Sequence, residues 1–141
     1  MSIETDLQEE CIGHLDLSGY ASVRTGTVIS EVLDIMRNQR VSAVLVEDES
    51  GKLAGIFTQR DVLNKVASKD RRLQGRLVSE VMTPNPVFLY ETDSLASALC
   101  VMALYGLRHV PVLDLKENIV GIVSPQRVAM FLQEQIEGVF F

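Results

Sequence analysis

The residues best suited to chemistry lie in one short segment, Gly55 to Asp61, where a strand-like run gives way to a helix-like one. Such a junction presents unpaired backbone N–H groups and the positive end of a helix dipole, which together suit an anion such as phosphate. Gly55 allows another group to approach the backbone closely. Thr58 adds a hydroxyl, and Asp61 offers two acceptor oxygens that suit the vicinal hydroxyls of a ribose. The segment therefore predicts a site for ribose and phosphate.

A purely structural interpretation explains two of the same residues. Thr58 and Asp61 stand three positions apart, the spacing of a variant capping box, in which both side chains satisfy the first N–H groups of their own helix. The sequence leaves both interpretations open.

A related segment, Gly121 to Arg127, carries different chemistry. Ser124 is a good helix cap, and Pro125 suits the first helical position. Arg127 takes the place of Asp61, and a guanidinium accepts no hydrogen bond from a ribose hydroxyl, although it does bind phosphate. We therefore expect the two sites to differ.

Two potential cations, Arg108 and His109, precede the strand-like run Val110–Val112. One interpretation has Arg108 at the C-terminal end of a helix with His109 half exposed, and the other has both residues binding phosphate. These alternatives also stay open.

Other catalytic chemistry has little support in the sequence. His14 and His109 are the only histidines, and neither stands at metal-ligand spacing from a cysteine or from the other histidine. The chain contains no Gly-x-Ser-x-Gly or Gly-x-x-x-x-Gly-Lys motif. The two cysteines predict no disulfide framework, and Cys100 is expected to be a small core residue. We expect neither a metal site nor an enzyme.

An internal duplication positions these segments. Ala21–Val62 aligns without a gap with Val87–Val128, and eight aligned pairs are identical. The identical pairs are Leu33/Leu99, Met36/Met102, Val44/Val110, Val46/Val112, Asp48/Asp114, Gly55/Gly121, Ile56/Ile122 and Val62/Val128. Apolar residues at helical spacing, followed by two strand-like runs, predict the order β-α-β-β-α in each copy.

The expected elements follow from this pattern. The first strands are predicted at Ser22–Arg24 and Val87–Tyr90, and the hairpins at Ala43–Phe57 and Val110–Val123. Thr27 is the expected helix cap in the first copy, and Asp93 or Ser94 in the second. The second helices are predicted to start at Thr58 and Ser124.

We expect three regions along the chain: a helical extension over residues 1–17, a first repeat with its linker over 18–78, and a second repeat with a tail over 79–141. The linker contains a basic stretch, which is either a solvated helix end or a docking patch for an acidic partner. Its basic residues are Lys65, Lys69, Arg71, Arg72 and Arg76. The apolar tail Val139–Phe141 suggests either docking on a neighbour or burial in its own subunit.

Composition limits the partners. The chain has 141 residues, 47% of them hydrophobic, and a net charge of −6. Such a chain has no general attraction for nucleic acid or anionic lipid. Its longest apolar stretch is too short to span a bilayer. We expect a soluble cytoplasmic protein.

Taken in order and duplicated, these pieces resemble a tandem pair of cystathionine-β-synthase (CBS) domains, the Bateman module. The resemblance rests on Val81–Pro84, Met36 and Met102, Arg108–Val112, and the segments Gly55–Asp61 and Gly121–Ser124. It implies an α/β (α+β) fold of two intertwined β-α-β-β-α repeats with pseudo-twofold symmetry. It also implies two clefts between the repeats, and association into a homodimer.

The resemblance further implies roles for particular residues. Thr58 corresponds to a phosphate or ribose contact and Asp61 to the ribose-binding carboxylate, while Arg108 and His109 match positions that reach phosphate. The adenine walls would come from Val23, Val41 and Ala43. Ser124 and Arg127 belong to a second cleft, which the loss of the acid leaves either empty or selective for another ligand.

The leading hypothesis is a non-enzymatic regulatory module that senses an adenosine-containing ligand and signals to an effector protein. AMP and ATP are the first candidates, followed by NAD and S-adenosylmethionine, and no cofactor is required. The alternative is a structural dimer that binds other proteins and no ligand.

Overall fold

The computed structural model describes residues 3–66 and 71–140, which divide into two compact units. One unit is Gly19–Pro86, and the other joins Met1–Ser18 to Val87–Phe141. The N-terminal segment therefore belongs with the second repeat, and the segment just before Val87 belongs with the first.

The helices and strands alternate as the duplication predicts. The helices are α1 Ile3–Glu9, α2 Ile29–Gln39, α3 Gln59–Asp61, α4 Val78–Val81, α5 Leu95–Tyr105 and α6 Pro125–Phe140. The strands are β1 Ala21–Arg24, β2 Ala43–Glu47, β3 Leu53–Thr58, β4 Thr83–Pro84, β5 Leu89–Tyr90, β6 Val110–Leu113 and β7 Ile119–Val123. Short 3-10 helices cover Ile12–His14 and Arg71–Gly75.

Each repeat builds the same small sheet. In the first, β1 runs parallel to β2, β2 pairs antiparallel with β3, and β4 adds the edge. In the second, β5 runs parallel to β6, which pairs antiparallel with β7. The predicted β-α-β-β-α order and the α+β class are confirmed.

Each sheet packs its apolar residues against the helix that follows its first strand. In the first repeat, Ile29, Val32 and Met36 of α2 cover the sheet, and Phe57 fills the centre. In the second repeat, Leu95, Ala98 and Met102 of α5 do the same. The helical spacing of the sequence predicts these positions together with Leu33 and Leu99, which are only partly buried.

The structural duplication extends further upstream than the aligned sequences. Val78 N–H donates to the carbonyl O of Thr27 (2.7 Å), and its counterpart Ile12 N–H donates to the carbonyl O of Asp93 (2.9 Å). The segments before the two repeats are thus equivalent. The segment before the first repeat packs on the second repeat, and the segment before the second repeat packs on the first. This arrangement agrees with an intertwined pair.

Two glycines permit this packing. A Cβ on Gly121 would lie 2.3 Å from Leu17 Cβ, and one on Gly55 would lie 2.3 Å from Met82 Sδ. Ile122 N–H donates to Leu17 O (3.0 Å), so the N-terminal segment lies along β7 much as β4 lies along β3. A side chain at either glycine would push the neighbouring segment away.

Two local predictions are wrong. Thr27 does not cap α2, because the helix begins one residue later and Val28 is its N-cap, while the Thr27 carbonyl accepts from Val78. In the second copy the prediction of Asp93 or Ser94 is confirmed, because Ser94 caps α5 by accepting from Ser97 N–H. Cys100 is exposed instead of buried, because the buried face of α5 runs through Leu95, Ala98 and Met102.

Candidate functional site

The Thr58–Asp61 junction lies at one end of the first repeat's sheet. Thr58 is the register partner of Ala43, and Gln59 N–H donates to Ser42 O (2.9 Å). These pairings hold the end of β3 against the start of β2. Ala43 is fully buried there. The sheet thus fixes the point at which α3 begins.

The Asp61 carboxylate is held on both sides. Its Oδ2 accepts from Thr58 N–H (2.8 Å) and from Thr58 Oγ1 (3.3 Å). Its Oδ1 lies 3.5 Å from Lys65 Nζ, and the Asp61 side chain is only 14% exposed. The capping interpretation of Thr58 and Asp61 is therefore confirmed. The same arrangement leaves lone pairs on Oδ1, because a carboxylate oxygen accepts more than one hydrogen bond.

The predicted apolar residues occupy two different places. Ala43 begins β2 at the same end of the sheet as Thr58, and Val41 lies two residues before it, partly buried against the core of the first repeat. Val23 pairs with Val46 further along the sheet, and its side chain belongs to the core of the first repeat. Their assignment as adenine walls stays a prediction.

Arg108 and His109 lie in the other unit, together with Ser124 and Arg127. Val110 pairs with Val123, so His109 immediately before β6 and Ser124 immediately after β7 flank the same end of that hairpin. Burial, with a smaller contribution from the neighbouring Arg108, lowers the pKa of His109. The imidazole is therefore mostly neutral at pH 7, since its ordinary pKa is about 6.5.

The second junction is built on a guanidinium. Ser124 Oγ accepts from Arg127 N–H (3.2 Å), which confirms its predicted capping role. The Arg127 side chain forms an ion pair with Asp16. Hydrogen bonds from Ser18, with help from Arg127, hold the pKa of Asp16 below its ordinary value. The second repeat therefore has the ion pair of Arg127 with Asp16 of the N-terminal segment where the first repeat has Asp61.

Two residues of these sites were not predicted from the sequence. Lys65 was grouped with the basic stretch, although its four-residue spacing from Asp61 is a signal for an ion pair on a helix. Asp16 lies in the N-terminal segment, and no local pattern connects it to Arg127.

The rest of the basic stretch is only partly described. Arg76 Nε lies 3.9 Å from Glu80 Oε2 on the surface. Lys69 and the side chains of Arg71 and Arg72 lie outside the described residues, as do Phe141 and the side chains of Val139 and Phe140.

The described ranges are residues 3–66 and 71–140. Within them, no group of three or more histidine, cysteine or acidic side chains is placed to hold a metal ion. No helix there is both long enough and apolar enough to span a membrane.

Comparison with known proteins decides the family. The sequence profile described as "CBS domain" matches residues 13–68 and 78–134, which is most of the chain. The chain belongs to the CBS domain family. Both matches begin upstream of the aligned repeats, in agreement with the equivalent upstream segments of the structure.

Relatives of this CBS domain pair include much longer proteins. The CBS domain-containing protein CBSCBSPB2 of Arabidopsis thaliana is 38% identical over 107 residues, which are 75% of this chain. The match covers only 20% of that protein, so the chain spans about a fifth of the length of this curated relative.

Solved structures share the fold. The cytosolic domain of the Mg²⁺ channel MgtE, in complex with ATP, matches with a TM-score of 0.74 and 28% identity over 87% of this chain and 49% of that one. CBSX2 in complex with AMP matches with a TM-score of 0.75 over 90% of this chain and 98% of that one. The CBSX2 likeness, at 22% identity, concerns the fold.

Proposed function

We propose that this CBS domain pair is a regulatory sensor that binds an adenosine-containing ligand and signals to an effector protein. The observation that carries the proposal is the Asp61 carboxylate, held by Thr58 at a strand-to-helix junction with acceptor capacity left on Oδ1. A carboxylate so held suits the vicinal hydroxyls of ribose. The likeness to the ATP-bound domain of MgtE, at 28% identity, supports a nucleotide as the ligand.

Phosphate recognition falls to hydroxyl and cationic groups. Thr58 offers a hydroxyl in the first repeat. Arg108 and Arg127 are the cationic groups of the second repeat, where His109 adds a neutral imidazole, and Arg127 already binds a carboxylate. Because a guanidinium binds carboxylate and phosphate through the same donors, a phosphate at Arg127 would compete with Asp16.

The proposed mechanism involves no catalysis. A ligand that binds one arrangement of a protein more tightly than another shifts the population toward that arrangement. We therefore propose a cytoplasmic homodimer that reports ligand occupancy to its effector. AMP and ATP are the first candidate ligands, and NAD and S-adenosylmethionine are the next.

A second candidate function, protein interaction without a ligand, is favoured by α5. Its exposed residues include Leu104 (75% exposed) and Tyr105 (64% exposed). The equivalent positions of α2 carry Asn38 and Gln39. An apolar surface on one of two otherwise matching helices favours a protein contact there.

Binding assays separate the two candidates. Thermal shift and calorimetry of the purified protein with AMP, ATP, NAD and S-adenosylmethionine should reveal binding of at least one compound. Native mass spectrometry should show a dimer and any retained small molecule.

Variants then locate the site. Asp61→Ala should weaken binding by about 10- to 100-fold, the effect of losing hydrogen bonds to a charged group. Asp34→Ala is the matched control, because Asp34 is an exposed acid of the same unit on α2. Absence of binding by every compound, or equal binding by Asp61→Ala and the wild type, would reject the sensor hypothesis.

A further inference from the structure

Lys65 is fixed beside the candidate ribose site. It lies in the wide π-helical turn Val62–Val66 that follows α3. Its Nζ donates to the carbonyl O of Val81 (2.7 Å) and lies 3.5 Å from Asp61 Oδ1. The carbonyl of α4 therefore anchors the ammonium group, and the ammonium group in turn faces the carboxylate. Wide turns of this kind are frequent at functional sites.

The two contacts of Asp61 set the plane of its carboxylate. Thr58 holds Oδ2 through two hydrogen bonds, and Lys65 restrains Oδ1 from the other side. The Lys65 contact, at 3.5 Å, is longer than an N–H···O hydrogen bond of ordinary length. Lys65 thus restrains Oδ1 without using all of its acceptor capacity.

Comparison of the repeats connects Lys65 to Asp61. The alignment of the repeats sets Arg127 against Asp61, and the same offset continued past Val62 and Val128 sets Phe131 against Lys65. The cation is therefore present in the repeat that has the carboxylate and replaced by an aromatic residue in the repeat that lacks it. A lysine needed only for the general packing of this turn would not have to follow the carboxylate in this way.

We infer that Lys65 is a positioning residue that orients Asp61 Oδ1 toward a ribose hydroxyl and so gives the first repeat a preference for ribose over deoxyribose. This inference rests on the proposed function. It predicts that the loss of Lys65 reduces discrimination at the sugar and leaves the affinity for a deoxyribose ligand nearly unchanged.

Calorimetry with adenosine, 2′-deoxyadenosine and AMP tests the inference. The wild type should bind adenosine about tenfold more tightly than 2′-deoxyadenosine, the effect of one hydrogen bond to a charged group. Lys65→Met should remove most of that ratio, and Lys65→Arg should restore it in large part. Lys52→Met is the matched control, because Lys52 lies in the hairpin loop at the opposite end of β3 from Thr58.

Amide hydrogen exchange supplies a second readout that needs no ligand. The Thr58 N–H donates to Asp61 Oδ2 (2.8 Å), so its protection reports whether the carboxylate stays in place. Lys65→Met should speed exchange at Thr58 several-fold, whereas Lys52→Met should not change it.

Three results would overturn the role of Lys65. They are equal weakening of both nucleosides by Lys65→Met, weakening of AMP alone, and unchanged exchange at Thr58. The second of these would make Lys65 a phosphate contact instead. If the wild type binds none of these three compounds and none of ATP, NAD and S-adenosylmethionine, the proposed function fails, and the exchange at Thr58 alone decides whether Lys65 positions Asp61.

Discussion

Gly121→Ala should selectively loosen the N-terminal segment from the second repeat. The new Cβ would lie 2.3 Å from Leu17 Cβ and 2.6 Å from Leu17 O, far inside the ordinary contact range of 3.4–4 Å. Because Leu17 O belongs to the backbone, the clash is not relieved by a side-chain rotation. The segment must move by about an ångström, which strains or breaks the hydrogen bond from Ile122 N–H to Leu17 O.

The expected cost is the sum of two effects. Overpacking of a close contact costs about 1–3 kcal/mol, and loss of one backbone hydrogen bond adds about 1 kcal/mol. We therefore expect Gly121→Ala to lower the local stability of the second repeat by about 2–4 kcal/mol. Gly55→Ala should cost somewhat less, about 1–2 kcal/mol, because the two nearest atoms belong to the Met82 side chain and the backbone oxygen, Thr83 O, lies further away at 2.9 Å.

Amide hydrogen exchange at Ile122 measures this effect directly, since it reports opening of one region rather than of the whole chain. Gly121→Ala should speed exchange there by about 30-fold or more, which corresponds to about 2 kcal/mol. Gly26→Ala is the control, because a Cβ at Gly26 meets nothing within 4 Å. Wild-type protection of Ile122 in Gly121→Ala, or equal loss in Gly26→Ala, would refute the packing argument.

Two titrations test the electrostatics of the second junction. Asp16 has a lowered pKa in the folded state, mainly because of Ser18 and also because of Arg127. Its contribution to stability is therefore present above the unfolded pKa and is lost as pH falls through the folded pKa. A carboxyl ¹³C titration should give a midpoint below the ordinary 3.8, and Arg127→Met should raise it. His109 also has a lowered pKa, so its neutral form contributes stability above about pH 6.5, and this contribution declines at lower pH. The His109 imidazole should titrate below 6.5, and its midpoint should rise in Arg108→Met. An ordinary midpoint at Asp16 or His109, or a midpoint that does not respond to the corresponding variant, would contradict the assigned causes.

The sequence was sufficient to predict the repeated β-α-β-β-α architecture, because its apolar spacing reports directly which helix faces are buried. Met36 and Met102, for example, close equivalent helices in equivalent cores. The hairpin loops were also predictable, because Asp48 and Asp114 accept the backbone N–H groups of their own turns.

The equivalence of the upstream segments was not apparent in the sequence. Ile12 corresponds to Val78 and Leu15 to Val81, but no position from 11–20 is identical to its counterpart in 77–86. Backbone geometry preserves the relation where side chains do not: Gly19 and Asn85, two equivalent residues, both have positive φ. Thr27 was assigned as a cap because the sequence does not reveal that its carbonyl accepts from the distant Val78.

The candidate site was predicted in part. Thr58 and Asp61 are local in sequence, so their hydrogen bonds follow from spacing alone. The ion pair between Asp16 and Arg127 joins residues far apart in the chain and requires the fold. In the aligned repeats, His109 corresponds to Ala43 and Ser124 corresponds to Thr58. Because Ala43 pairs with Thr58 in the first repeat, His109 is expected beside Ser124 in the second.

The central claim is that the Thr58–Asp61 junction receives the ribose of an adenosine-containing ligand. Titration of isotope-labelled protein with AMP, followed by backbone amide NMR, tests it most directly. We predict that the amides of residues 58–61 shift strongly and that Asp61→Ala needs about 10- to 100-fold more AMP to reach the same shifts. Shifts that leave residues 58–61 unaffected, or the same AMP midpoint in Asp61→Ala as in the wild type, would contradict the claim.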